Sequence, residues 1–332
     1  MSSLSSVIAA SIVPPFDWQR VMVEPWTENM PGTLWMVLMA VLIGIPCALL
    51  GNYLILRRMA LVGDAISHSV LPGLVLAYLV FRSLGTGAML AGAMLAGLAT
   101  TLIIEFIVSR SRLKSDAATG ITYTTLFALG VFLVNRYAGR VHLDAECVLF
   151  GELEYVPLAE SSSLTLGAWG AVPLPLLIGA GVLVAVIAFI ILLYKELTLT
   201  SFDPGLARSI GVRAGFVHYA LMALLSVVVV ISLENVGLLV VALLVLPGST
   251  AQFFTRRLLR LHVLAVILCI TAVLGGFHLA AWLLCPTAAA IAVCGGAQFA
   301  LAWTGSLAIT AFRRWNAGQR GGFPAASAPS VR

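Results

Sequence analysis

Along this chain, apolar residues come in runs too long for the core elements of a soluble domain, and short basic clusters separate them. The first convincing run is Thr33 to Leu56, which ends in Arg57-Arg58. Further runs cover roughly 64–82, 87–109, 118–136, 170–194, 215–233, 236–254, 262–284 and 287–311. Each is near the ~20 apolar residues that a helix needs to cross a bilayer core. A spanning segment must satisfy its own backbone groups, so the pattern predicts an all-α, polytopic membrane protein. Pro247 falls in the run 236–254 and Gly275-Gly276 in 262–284, which makes one of these two a candidate broken or re-entrant segment. The expected number of transmembrane helices is therefore about eight or nine.

Basic residues set the orientation. Arg57-Arg58, Arg110/Arg112/Lys114, Lys195 with Arg208/Arg213, Arg256-Arg257/Arg260 and Arg313-Arg314 form five clusters, and pairs of apolar runs separate successive clusters. If all five are cytoplasmic, as the positive-inside tendency implies, the N-terminus is outside and the C-terminus inside. Arg82, Arg136 and Arg140 fall on the outer side and are outnumbered. Residues 1–32 lack a basic n-region, and their apolar start stops at Pro14-Pro15, so we expect no cleaved signal peptide. Mixed charge with Trp18 and Trp26 suits an extracytoplasmic segment at the membrane interface. The membrane-spanning region then covers 33–314, and 315–332, rich in Gly, Ala, Ser and Pro, reads as a disordered cytoplasmic tail.

Composition changes this picture only by closing other classes. Of 332 residues, 61% are hydrophobic and 10% charged, and mean hydropathy is +1.05, which lipid can solvate and water cannot. The net charge of +5 belongs to membrane topology, so no nucleic-acid partner is expected. Cys47, Cys147, Cys269, Cys285 and Cys294 are scattered without a C-x-x-C pair, which indicates packing residues and neither a zinc site nor a disulfide framework.

Candidate chemistry lies where ionisable residues enter apolar runs. Asp64 and His68 are four apart, on one face of a helix, and are both metal-capable. Asp64 also reads as an N-cap after Gly63, and His68 as a satisfied interior histidine; spacing does not choose between these. Were the chain helical from Arg58, His68 would lie roughly 15 Å deeper, near the midplane; with residues 59–63 as a turn, the pair sits nearer the cytoplasmic mouth. Glu105 is placed to pair with Arg110, Asp116 to cap a helix, and His218 and His262 to sit near cytoplasmic ends. His278 and Cys285 are ion-capable without partners in sequence. Small residues Ala88, Gly92, Ala93 and Gly97 permit close helix contact. The outer loop from about Tyr137 to Gly170 carries His142, Asp144, Glu146, Glu152, Glu154 and Glu160, an acidic mouth or simply a solvated loop.

The inner loop Lys195 to Arg213 contains Asp203-Pro204, an N-cap followed by proline at the first helical position, and Gly211 as a stop. It predicts a short cytoplasmic helix.

Several blocks carry a family resemblance. Leu56-Arg-Arg-Met-Ala-Leu-Val-Gly-Asp-Ala-Ile-Ser-His-Ser-Val-Leu-Pro-Gly73 resembles the signature region of the zinc, manganese and iron family of ABC importer permeases. Ser115-Asp-Ala-Ala-Thr-Gly-Ile121, Leu149-Phe-Gly151, Ser201 to Val212 and Val236 to Ala251 follow in family order. The resemblance implies a type II importer-like fold and a pathway formed by two copies of the permease. It also implies an ABC ATPase subunit on each copy and an extracytoplasmic metal-binding protein, in a bacterial inner membrane. It implies that Asp64 and His68 meet a transported Mn, Zn or Fe ion, with no permanently bound cofactor. The segment about 200–213, with Ser201, Asp203, Pro204, Ala207 and Gly211, would couple to the ATPase. Glu234-Asn235, where relatives more often carry an uncharged polar residue, reads either as a tuned outer gate or as a plain solvated turn, and Cys285 stands where relatives often have an acid, which argues against a shared metal role there. No G-x-x-x-x-G-K-[ST] occurs, so the chain is not expected to be an enzyme and ATP hydrolysis must come from a separate subunit.

Two other readings remain. An ion-coupled secondary transporter would use Asp64, His68 and Glu105 as relay groups. A siderophore or cobalamin permease would share the architecture but favour a wide, uncharged path.

Overall fold

The computed structural model describes residues 14–28, 30–82, 86–137, 153, 163–165, 171–237 and 240–320. A π-helical turn, Gln19–Val23, and a short helix α1 (Glu24–Thr27) precede α2 (Met30–Leu56), α3 (Val62–Phe81), α4 (Thr86–Arg110) and α5 (Ser115–Tyr137). A two-stranded antiparallel hairpin, β1 (Ser163–Thr165) and β2 (Ala171–Pro173), leads into α6 (Leu174–Leu192). Next come α7 (Tyr194–Phe202), α8 (Pro204–Ser209), α9 (Ala214–Val236), α10 (Val240–Ala251), α11 (Leu258–Leu283) and α12 (Thr287–Arg320). Among the described residues, eight helices are long and apolar enough to cross a membrane. Their outward faces carry Phe106, Leu192, Val184 and Leu301, apolar side chains left more than 60% exposed, as lipid contact requires.

Of the two candidate broken segments, one is broken. The run 236–254 yields only α10, twelve residues or about 18 Å against a core about 30 Å thick. The residue between α9 and α10 that stops the helix is Gly237, with φ of 67° and ψ of −157°, a conformation open to glycine alone. By contrast 262–284 is continuous as α11 despite Gly275-Gly276, because Gly276 lies directly against the Ile291 backbone of α12. The broken element is therefore α10. Leu244 packs on Gly51, and Gly248 on Asn52 and Ile55, so α10 lies along the C-terminal half of α2.

The bundle is built around α2, whose buried face from Val37 to Leu54 meets α6, α10 and α11. A second group joins α3, α4 and α5. Gly73 and Gly92 place the α3 and α4 backbones in contact, Gly130 rests on Pro72, and Thr100 Oγ1 donates to Ser69 Oγ at 2.6 Å. The small-residue spacing in α4 thus serves close helix approach.

Two of the basic clusters meet at one end, where Arg57, Arg58 and Arg208 line one cavity. Arg57 reaches Thr200 and Ser201 of α7, Glu105 near the end of α4 meets His218 in α9, and Tyr53 packs on His262 at a ring distance of 5.0 Å. At the opposite end, Trp282 Nε1 donates to Pro14 O, His278 Nδ1 lies 3.0 Å from Val21 O, and Trp26 packs on Phe277. The N-terminal segment is thereby strapped over the outer end of α11. Helix α12 continues to Arg320, and residues 321–332 lie outside the described residues.

Candidate functional site

Residues 57–61 form the junction between α2 and α3. The chain reverses there through Arg58, held at φ of 58°, with Met59 N donating to Leu54 O at 2.8 Å. Helix α3 then starts at Val62, and its N-cap is Leu61 without a side-chain cap bond. Asp64 therefore sits inside the first turn, which removes the N-cap alternative. Gly63 beside it leaves room for Leu244 of α10, which the Cβ of any larger residue would meet at 2.6 Å.

His68 Nε2 lies 3.4 Å from Asp64 Oδ1, one turn on along the same face. The His68 ring packs on Tyr123 and Phe127 of α5 at 5.8 and 5.7 Å. Both side chains are about one third exposed, so a ligand can reach them. Tyr123 is about 12 Å along α5 from Ser115, and Thr100, bonded to the neighbouring Ser69, about 15 Å along α4 from Arg110. His68 thus lies near the middle of the bundle, and Asp64 about 6 Å closer to the cytoplasmic end. The junction takes up residues 57–61, and His68 lies six residues, about 9 Å, beyond the start of α3.

The pair can act together on a cation. An ion about 2.1 Å from both atoms would see donors 3.4 Å apart at an angle of about 110°, close to tetrahedral. Among the described residues no group of three or more His, Cys, Asp or Glu could hold a metal, so this pair offers two side-chain donors per chain.

The loop at 195–213 folds as its caps predict. Asp203 Oδ1 accepts from Leu206 N at 2.9 Å, Pro204 opens α8, and Gly211 turns the chain at φ of 84°. Ala207 is fully buried while Leu206, Ile210 and Phe202 are exposed, so α8 presents an apolar surface outward from the cytoplasmic end. Ser201 joins this segment to Arg57, whose Nε donates to Ser201 Oγ at 3.0 Å and whose Nη2 donates to Thr200 Oγ1 at 2.8 Å.

Glu105 does not pair with Arg110. Its Oε2 lies 3.1 Å from His218 Nε2, and His218 Nδ1 lies 3.4 Å from Arg57 Nη1. Burial pulls the Arg57 guanidinium below the usual arginine range, with nearby Tyr53 acting in the opposite direction. Sequence spacing does not connect these groups; the signal it offers is that Glu105 and His218 both interrupt apolar helices and each needs a partner. A cavity of about 450 Å³ opens beside them, lined by Arg57, Glu105, Thr200, Ser201, Pro204 and His218.

Glu234 and Asn235 belong to the last turn of α9. The acidic loop residues His142, Asp144, Glu146, Glu152, Glu154 and Glu160 lie outside the described residues. Asp116 is in the first turn of α5, and His278 is engaged with the N-terminal segment.

A bundle with eight helices long and apolar enough to cross a membrane defines a polytopic membrane protein. The family model of the ABC 3 transport family matches residues 29–305, and the chain belongs to that family. It is a multi-pass protein of the bacterial inner membrane. The chain is 38% identical over 270 residues to the manganese transport system membrane protein MntD of Bacillus subtilis, covering 81% of this chain and 90% of that one. It is 39% identical over 272 residues to the zinc transport system membrane protein TroD of Treponema pallidum, covering 82% and 73%. In the solved structure of PsaBC from Streptococcus pneumoniae in complex with Fab, one chain superposes with a TM-score of 0.68 at 29% identity, covering 85% of this chain and 94% of that chain.

Proposed function

We propose that this chain is the permease subunit of an ATP-driven importer for a divalent transition metal ion, manganese, zinc or iron. Two copies form the pathway along their interface, each docks a separate ATPase subunit through α8, and an extracytoplasmic binding protein delivers the ion. The single observation that carries this reading is the Asp64–His68 pair, exposed at mid-depth in a chain of this family. Carboxylate and imidazole suit Mn(II), Zn(II) and Fe(II), and two donors from each copy would give four at the dimer axis. Four mixed donors with part-exposed side chains favour brief coordination over tight storage, which a conducting site needs.

In this reading ATP-driven closure of the ATPase dimer moves α8, and the bundle passes from outward-open to inward-open. Ser201, Asp203, Pro204, Ala207 and Gly211 form and hold the coupling segment, and Glu234-Asn235 at the end of α9 forms the outer gate. The family relation disfavours an ion-coupled secondary transporter. A large-chelate permease is disfavoured by the Asp/His pair.

The test is metal uptake by proteoliposomes holding the permease, its ATPase and its binding protein. Asp64→Ala and His68→Ala should assemble normally and lose uptake of whichever ion the parent moves, while normal uptake by either variant would remove the pair from the pathway. Uptake by the purified chain without ATPase would favour the secondary-transporter reading.

A further inference from the structure

We propose that Arg57 is the positioning residue that links movement of the α7–α8 segment to the helix carrying Asp64 and His68. This rests on the reading of the chain as an ATP-coupled permease. Arg57 is the first residue beyond α2, at the start of the junction that leads into α3. The junction is short and fixed at each step, by Arg57 N to Tyr53 O, Arg58 N to Ile55 O, Met59 N to Leu54 O and Val62 N to Met59 O. A displacement of Arg57 is therefore passed to the first turn of α3, where Asp64 lies.

The guanidinium uses three of its nitrogens in different directions. Nε and Nη2 hold Ser201 and Thr200, the residues just before Asp203 caps α8, and Nη1 faces His218 in α9. Arginine has no acceptor, so His218 Nδ1 accepts and its proton sits on Nε2, which donates to the Glu105 carboxylate of α4 at 3.1 Å. One side chain thus ties the α2–α3 junction to α7 directly and, through His218, to α9 and α4. Thr200 is itself held, its hydroxyl donating to Glu196 O at 2.7 Å, so it moves with α7.

Packing alone does not explain this arrangement. The network borders the 450 Å³ cavity, and so has open space into which α7 and α8 can move relative to α4 and α9. Arg57 lines that space and bonds to both α7 and α9. Lysine, a compact point charge on a flexible stem, cannot serve Thr200, Ser201 and His218 at once.

The test uses the reconstituted complex of permease, ATPase and binding protein, measuring ions moved per ATP hydrolysed. Arg57→Lys and Arg57→Ala should still hydrolyse ATP in the assembled complex, with the ratio about tenfold lower and no rescue by lysine. Thr200→Val, which removes one acceptor without touching the charge, should lower the ratio by about twofold to fivefold. A parent ratio in Arg57→Lys would overturn the proposal. If the Arg57 variants do not assemble, Thr200→Val decides it in the same way: a reduced ratio supports the link, a parent ratio refutes it. Failure of the parent complex to show ATP-dependent metal uptake would instead contradict the permease reading itself.

Discussion

Gly51→Ala offers a sharp test of how the half-length helix supports the ion pair. A Cβ at Gly51 runs into the carbonyl of Leu244 and comes within 3.2 Å of Leu244 Cα. These are backbone atoms, so no rotamer change relieves the overlap, and α10 as a whole must retreat from α2. Overpacking of this kind costs about 3 kcal/mol at the upper end of its usual range. Replacing a helical glycine by alanine returns about 1 kcal/mol through lower backbone freedom. The net expectation is a loss of about 2 kcal/mol, which is roughly thirtyfold in a folding equilibrium. Gly181 in α6 has no atom within 4 Å of the same added carbon, so Gly181→Ala should carry only the gain. The two substitutions are chemically identical and should shift thermal unfolding of the purified complex in opposite directions. Leu244 also touches the space at Gly63, next to Asp64, so Gly51→Ala should reduce metal uptake as well as stability. A melting temperature for Gly51→Ala at or above the parent's would refute the close α2–α10 approach and with it the placement of α10.

Asp203→Ala removes the acceptor for Leu206 N and should cost about 1 kcal/mol of local order in α8, read as faster hydrogen exchange over 204–209 and weaker ATPase docking; unchanged exchange would deny the cap its role. Thr100→Val removes the 2.6 Å bond from α4 to Ser69 and should cost about 0.6 kcal/mol, less than a soluble core would lose, because a polar group in a bundle finds other partners; a parent-like unfolding midpoint would show that the bond is dispensable.

The parts of this protein that a linear pattern could reveal are those whose cause is local. The apolar runs and their basic borders specify spans because bilayer thickness is a fixed ruler, and Arg57, Arg58 and Arg208 from two of the clusters line one cavity. Asp64 and His68 are visible as neighbours because a helix puts residues four apart on one face. Asp203-Pro204 is visible because capping is a contact over three residues. Hydropathy failed at 236–254 for an equally physical reason: it measures affinity for an apolar phase, which a half-helix buried among α2, α11 and α12 shares with a full span. Pro247 marks the run as a candidate break without deciding between it and 262–284, and Gly237, where the chain stops, is hard to read because glycines are common in spanning helices.

What remained hidden depends on chain separation. Arg57 lies 144 positions from Ser201 and 161 from His218, and Glu105 lies 113 from His218. No periodicity joins such residues; the need for partners does. An ionisable group within an apolar helix must find a counterpart, and Glu105, with Arg110 only five residues away, had an adequate local one. The fold instead gives Glu105 to His218 and leaves Arg110 at the exposed helix end. That choice places a charged, hydrogen-bonded chain between the segment that faces the cytoplasm and the junction that starts α3. If Asp64 and His68 line a pathway they must be able to move, and we place the origin of that movement in the polar network of Arg57, His218 and Glu105.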